Sequence, residues 1–318
     1  MRITNLAIGV TAWAAGKVLA STCLVASAIV LSNPDHQWAF AYYGSPMWHF
    51  GGIKANGQTY RTCYPTWPRR PDGSKRPSVS HNGGMTSLAN GCTNQPGADG
   101  WGTNFPVFYN VRQCSGSGYN EIRVSYSLFW EKDGESIYGH DYDWENVVVV
   151  WRQYSSSGTL LWCKNELVMS QHSIHQAVRP WNQIKQTVDI GNWFESNAKD
   201  KDIPKIYSGI CKHANYQEAK EDQAKDPSGI PVIEDNLIRS GYDTEYGQWF
   251  INNDWGSASS KPTNVWNDMC GYSAHKKRGM EEGDEVYEVV GNYTVGVADA
   301  VTGINITTFV FDEMTILE

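Results

Sequence analysis

The sequence is short of charge, and of basic charge above all. It has 26 Lys and Arg against 34 Asp and Glu, a formal net charge of −8 over 318 residues. Proteins that hold nucleic acid neutralise phosphates with clustered Lys and Arg, so nucleic acid is excluded as the main partner. Beyond the first thirty residues no segment approaches the ~20 apolar residues that a membrane-spanning helix requires. No two cysteines form a C-x-x-C pair, which argues against zinc or redox work. No Ser or Cys nucleophile motif is present, and nothing sets an acid and a base across a sugar groove. The chain is therefore not expected to be an enzyme; a metal-dependent glycan hydrolase is the enzymatic alternative. No repeat or heptad divides residues 29–318, which read as a single domain.

What the chain does have begins with an export-like N-terminus. Arg2 supplies the positive charge, Leu6 to Gly16 is an uncharged apolar run, and Lys17 interrupts it. Residues 1–28 read as a signal peptide, with small residues permitting cleavage after Ala28 or after Ala20. Cleavage after Ala28 removes Cys23 and leaves an even set: Cys63, Cys92, Cys114, Cys163, Cys211 and Cys270. Widely spaced cysteines suit disulfides in a secreted, extracellular protein, although six of them allow fifteen connectivities. Asn292 and Asn305 open N-x-T sequons, candidate glycosylation sites on a eukaryotic route. Aromatics are plentiful, with 14 Trp and 17 Tyr. Most should be core, and the remainder suit sugar, headgroup or interface surfaces.

Local patterns predict a β-dominated domain. Asp35 to Phe50 suggests a short helix ending at Gly44 or Gly51. The Gly-, Pro-, Ser- and Asn-rich stretch from Gly51 to Trp101 would need a tether, which Cys63 and Cys92 are placed to supply. Phe105–Val111 is strand-like. In Glu121–Trp130, Ile122, Val124, Tyr126, Leu128 and Trp130 alternate with Arg123, Ser125 and Ser127, the period of a half-buried strand. Trp144–Trp151 is apolar on both faces and reads as a central strand. Thr159–Met169 follows, completing an antiparallel meander. Ile233–Ile238 reads as a short helix, Asp254–Ser257 and Lys261–Asn264 as loops, and Glu285–Val290 and Ile304–Phe311 as late strands. The charged run Glu218–Asp226 reads as a solvated surface.

The densest chemistry is Tyr138-Gly139-His140-Asp141-Tyr142-Asp143-Trp144-Glu145, opening directly into the valine-rich strand. In a hairpin, Asp133 on the outgoing arm returns towards Asp143 on the incoming one. Asp143 and Glu145 are two residues apart and so share a strand face. His140 precedes that strand in a position to fold over the same face. Three carboxylates and an imidazole, with a formal charge of about −3, repel one another unless a cation intervenes. Oxygen-rich ligation with one nitrogen points to Mg²⁺, Ca²⁺ or Mn²⁺ rather than structural zinc. The plainer alternative is a polar hairpin loop. Glu135 and Asp141 read as solvated loop acids, Trp144 as core, and His172 and His175 as scattered surface histidines, the alternative being that they line that end.

The run Val124–Asp133, followed by Gly139-His140-Asp141-Tyr142-Asp143-Trp144-Glu145 and Asn146–Trp151, resembles the necrosis- and ethylene-inducing protein-like family. That family carries G-H-R-H-D-W-E between a K-D strand end and a valine strand. Cys63-Tyr64-Pro65 with Gly91-Cys92 is similar to its usual disulfide pair, and Asp254–Ala258 to its later D-x-G-x-A stretch. The resemblance implies an actinoporin-like antiparallel β-sandwich with flanking short helices and long loops. It implies a divalent cation at Asp133, His140, Asp143 and Glu145, and binding to sugar headgroups of plant sphingolipids with membrane damage. The expected partner is thus a membrane glycolipid headgroup or glycan of a host, met by a monomer. Asp141 and Tyr142 stand where the family has Arg and His, which weakens attraction to an anionic headgroup. A non-cytotoxic glycan-binding module is the alternative to a cytolysin or elicitor of host necrosis.

Overall fold

A computed structural model describes residues 23–25, 31–55, 58–80, 91–94, 104–115, 119–133, 139–156, 159–171, 175–189, 201–209, 213–218, 228–230, 236–258, 260–272 and 315–316. Most of the signal-like segment, Glu135, His172, Cys211, Asn292, Asn305 and both late strand-like runs lie outside the described residues. In chain order the elements are β1 (Cys23–Val25), α1 (Pro34–Gly44), β2 (Met47–Phe50), β3 (Gly52–Ala55), β4 (Gln58–Arg61) and β5 (Val107–Cys114). There follow β6 (Glu121–Asp133), β7 (His140–Ser156), β8 (Thr159–Gln171), β9 (His175–Pro180), β10 (Thr187–Val188), β11 (Ile203–Ser208) and β12 (Asn215–Tyr216). The last are β13 (Ser228–Ile230), β14 (Leu237–Arg239), α2 (Glu245–Asn252), α3 (Pro262–Asp268) and β15 (Thr315–Ile316).

The architecture is a β-sandwich with flanking short helices. Its larger sheet runs β1-β8-β7-β6-β5-β14, with β9 beside β8 and β15 beside β7; the smaller runs β10-β11-β2-β13, with β12 beside β11. The meander β5-β6-β7-β8 is antiparallel throughout. Among the described strands two pairs are parallel, β2 with β11 and β14 with β5. Alternation explains the layers. Ile122, Val124, Tyr126, Leu128 and Trp130 of β6 join Val147, Val149 and Trp151 of β7 in one core, against Trp48, Phe50 and Ile206 of the smaller sheet.

The opposite face of the larger sheet is buried as well. Phe108, Phe129, Tyr142 and Trp144 pack under Phe250 of α2 and Trp255, and Val148, Val150 and Val168 pack under Val265 and Met269. Strand β6 is consequently buried along its whole length, and the expectation of a half-buried strand is corrected. Its polar side, read as solvent-facing, is roofed by helices. Arg123 is tolerated there because its guanidinium donates to Glu121 Oε2 (Nε at 2.9 Å) and to the carbonyls of Met269 and Tyr272.

Local chemistry sets the helix ends. Asn33 caps α1 by accepting the Asp35 N–H at 2.9 Å. The helix stops at Gly44, where an added Cβ would lie 2.6 Å from Tyr126 Oη, and the expected helical tail becomes β2. Pro262 opens α3 in the first turn, so Lys261–Asn264 starts a helix rather than a loop. The helix expected at Ile233–Ile238 is corrected at its described end, where Leu237–Arg239 pairs with Val107–Tyr109 as a strand; residues 233–235 lie outside the described residues. Thr244 caps α2 by accepting the Gly247 N–H at 3.0 Å. A Cβ at Gly247 would sit 1.9 Å from the Gly241 carbonyl oxygen. Since backbone is the obstacle, Gly247→Ala should cost at least about 2–3 kcal/mol in a urea melt. An unchanged midpoint would show that α2 does not seat this closely.

Disulfides join Cys63 to Cys92, Cys114 to Cys270 and Cys23 to Cys163. Cys23, left out of the expected six, is therefore a partner of Cys163. The physical reason is β1, which pairs with β8 in a register that sets Cys23 directly opposite Cys163.

Between the sheets lies a buried lysine. Lys164 Nζ donates to the Asp202 carbonyl at 2.6 Å and lies 5.1 Å and 5.4 Å from the Trp151 and Trp181 rings. Burial pulls its pKa down from 10.5 to about 8. Between those values the unfolded chain holds a proton that the folded chain has released, so this group makes stability rise with pH. The gain from pH 8 to 10.5 should be about 3 kcal/mol. Urea melts of Lys164→Met should lack that rise; equal slopes in both proteins would reject the assignment.

Candidate metal centre

Strands β6 and β7 pair Trp130 with Asp143, Lys132 with Asp141 and Asp133 with His140, but leave Glu131 and Tyr142 out of the ladder. Tyr142 has φ 59°, a left-handed conformation uncommon for a residue with a side chain. Its ring is held in the outer aromatic cluster, 5.8 Å from Phe129 and 5.7 Å from Trp255, with Lys75 Nζ 4.5 Å above it. The twist changes the alternation on β7 at this end, and Asp133 and Asp143 come to the same place.

Asp133, Asp143 and His213 each offer one donor atom, all within 4.8 Å of one another and all buried. His213 enters from the turn between β11 and β12, where its own φ is 48° and the Gly209 N–H donates to the Ala214 carbonyl at 2.9 Å. Its ring stacks on Trp130 with centroids 4.4 Å apart. Nδ1 lies 2.8 Å from Asp143 Oδ2 and 3.7 Å from Asp133 Oδ1, while Nε2 lies 2.9 Å from Thr62 Oγ1. Burial lowers the His213 pKa to about 4, against the opposing pull of Asp133. The ring is thus neutral near pH 7 and has a lone pair to give. The Thr62 hydroxyl donates or accepts equally well, so it satisfies Nε2 in either tautomer, and Nδ1 can exchange its contact with Asp143 for a bond to an ion.

Glu145 shares the Asp143 face, one step further along β7. One of its oxygens accepts from the Ser170 hydroxyl, whose oxygen in turn accepts the Asn146 N–H at 2.9 Å and an Asn215 side-chain N–H at 3.3 Å. Burial, and then the neighbouring carboxylates, hold the Asp143 and Glu145 pKa values well above the ordinary range. His140 lies at the rim, its side chain 35 % exposed; Nδ1 is 2.8 Å from the Tyr142 carbonyl and Nε2 3.1 Å from Asp133 Oδ2.

Of the four residues named from sequence, Asp133 and Asp143 join the converging group. His140 touches Asp133 from outside, and Glu145 stands beside Asp143. The third member, His213, was missed. It lies 70 residues from Asp143, and its neighbours in sequence carry no ligand pattern. Trp144 is core, as its alternation implied, and Asp141 is exposed. Only the backbone of His175 is described.

The donors fit a hard or borderline divalent cation: two carboxylates, one neutral imidazole and a third carboxylate alongside. Carboxylates crowded in a buried place repel one another, and a doubly charged ion is the direct means of offsetting that repulsion.

No protein-family model matches the chain, and no curated protein does. Among solved structures, the chain is similar to the non-toxic HaNLP3 protein, at 16% identity and TM-score 0.44, over 77% of this chain and 92% of that one. A structure described as a toxin fold as basis for microbial attack and plant defense shows 18% identity and TM-score 0.42, over 72% of this chain and 87% of that one. A third, Necrosis and Ethylene inducing Protein 2 from the causal agent of cocoa's witches' broom disease, shows 16% identity and TM-score 0.36, over 65% of this chain and 73% of that one.

Proposed function

We propose that the protein is a secreted, cation-dependent binder of glycan or glycolipid headgroups, a divergent relative of the necrosis- and ethylene-inducing proteins. The observation that carries this reading is the convergence of Asp133, Asp143 and His213 at the β6–β7 end of the sandwich, where Asp143 belongs to the stretch Gly139–Glu145 that resembles that family's heptad. Asp133, Asp143 and His213 would hold the ion, and Glu145, braced by Ser170, would orient around it. A bound divalent ion supplies a Lewis acid that draws sugar hydroxyls to the site. His140, at the rim and against Asp133, would bond a sugar hydroxyl.

A second reading, binding without membrane damage, has its own support. Asp141 is exposed beside the site and adds negative charge where the family has Arg. Tyr142 has its ring buried in the outer cluster and presents no imidazole where the family has His. Both changes weaken attraction to an anionic headgroup. Vesicles carrying plant sphingolipids separate the two. The expected result is cation-dependent co-sedimentation with little dye release. Strong release would restore the cytolysin reading, and turnover of a soluble oligosaccharide would restore the hydrolase. Absence of cation-dependent binding to any of these would remove the proposal.

A further inference from the structure

The N-terminal strand bears on how the chain is processed. Sequence leaves two cleavage points, after Ala20 and after Ala28, and they differ in one structural respect: the second removes β1. Strand β1 is part of the sheet. Cys23, Leu24 and Val25 pair with Cys163, Trp162 and Leu161 along the edge of β8. The partner on the same edge further along, β9, starts its pairing only at Glu166. Cys23 and Leu24 are both fully buried and belong to the main core with Phe40, Leu161 and Trp162. Removing these residues would strip a strand from the edge of β8, uncover apolar surface and leave Cys163 without its bonded partner.

We propose that export processing cuts before β1, after Val18-Leu19-Ala20, so that the mature chain starts at Ser21 and keeps the Cys23–Cys163 bridge. A signal peptidase cuts an extended segment before folding. The fold therefore does not choose the bond, but a chain cut after Ala28 lacks part of its own sheet. Cysteine arithmetic follows. A chain starting at Ser21 keeps all seven cysteines, and among the described residues three bridges use six of them, Cys23 included. Parity alone favours the cut after Ala28, and the pairing of Cys23 outweighs it.

This inference rests on the export reading, and the test separates the two. The full chain with its own N-terminus is produced in a secreting eukaryotic host. The released protein is then alkylated without reduction, sequenced from its N-terminus and peptide-mapped. Expected are a start at Ser21 and a linked Cys23–Cys163 peptide pair. A start at Ile29 would overturn the processing inference while leaving export intact, whereas an uncleaved chain retained in the cell would overturn the export reading beneath it. Two chains beginning at Ser21 and at Ile29 behind one unrelated leader provide a second measurement. The shorter should melt roughly 10 °C lower, having lost a bridge, an edge strand and a buried leucine. Equal Tm values would overturn the structural argument.

Discussion

In Asp143→Asn, divalent cation affinity is expected to fall by more than roughly a hundredfold, while the cation-free protein becomes more stable, not less. The two effects have opposite sign because Asp143 sits where a carboxylate is unfavourable without an ion. It is buried, Asp133 is close by, and both raise its pKa. Asparagine keeps the shape and its carbonyl oxygen still accepts a hydrogen bond from His213 Nδ1, 2.8 Å from the present Oδ2, but it brings no charge. In chelator the variant should therefore be more stable by about 1 kcal/mol. With ion at a hundred times its dissociation constant, wild type gains about 2.7 kcal/mol and the order reverses. Thermal melts in chelator and in Mg²⁺, Ca²⁺ or Mn²⁺, with calorimetric titration of both proteins, read out the crossing and the preferred ion. Parallel shifts in both proteins would show that ions act elsewhere, and the centre would be withdrawn.

How far the fold can be read before the structure depends on what kind of interaction each part uses. The β6–β7 hairpin was legible because alternation is a local property: Ile122 to Trp130 declare one face and the valines of β7 declare two. That also placed Asp133 opposite the start of β7, where it pairs with His140. What covers a face is not local. Arg123, Ser125 and Ser127 look solvated, yet α3 and the chain after it, more than a hundred residues later, close over them; Arg123 alone spans 146 residues to reach the Met269 carbonyl. His213 escaped for the same reason. Its position is set by β11 joining the smaller sheet and by stacking on Trp130, neither of which is written near residue 213. Tyr142 reads in the sequence as a substituted site residue, whereas its backbone is left-handed and its ring is buried in the outer cluster. Cys23 was hidden by its surroundings, since a short apolar strand and a signal peptide have the same composition.

The far end of the same hairpin gives the other large effect. Glu121→Gln should destabilise the protein by about 3–5 kcal/mol and lower Tm by roughly 10 °C. Glu121 accepts from Arg123 Nε and from Arg152 Nη2, both at 2.9 Å, and all three residues are buried. Neutralising the acid leaves two guanidiniums inside with too little negative charge, and Glu166, 3.6 Å from Arg152, compensates only one of them. Arg123 also holds the carbonyls of Met269 and Tyr272 beside the Cys114–Cys270 bridge. The substitution should therefore loosen the chain after α3 first, as hydrogen exchange at residues 269–272 would report. Charge neutralisation at this end should leave the other end alone. Glu121 and Asp133 bracket a single thirteen-residue strand, roughly 40 Å apart along it, far beyond the ~8 Å over which exposed charges interact at physiological salt. Cation affinity in Glu121→Gln should match wild type at a temperature where both are folded. A comparable loss of affinity in Glu121→Gln and Asp143→Asn would mean that ion binding follows global stability rather than the ligands at Asp133, Asp143 and His213. Separate behaviour at the two ends of β6 would assign the ion to one end and the fastening of α3 to the other.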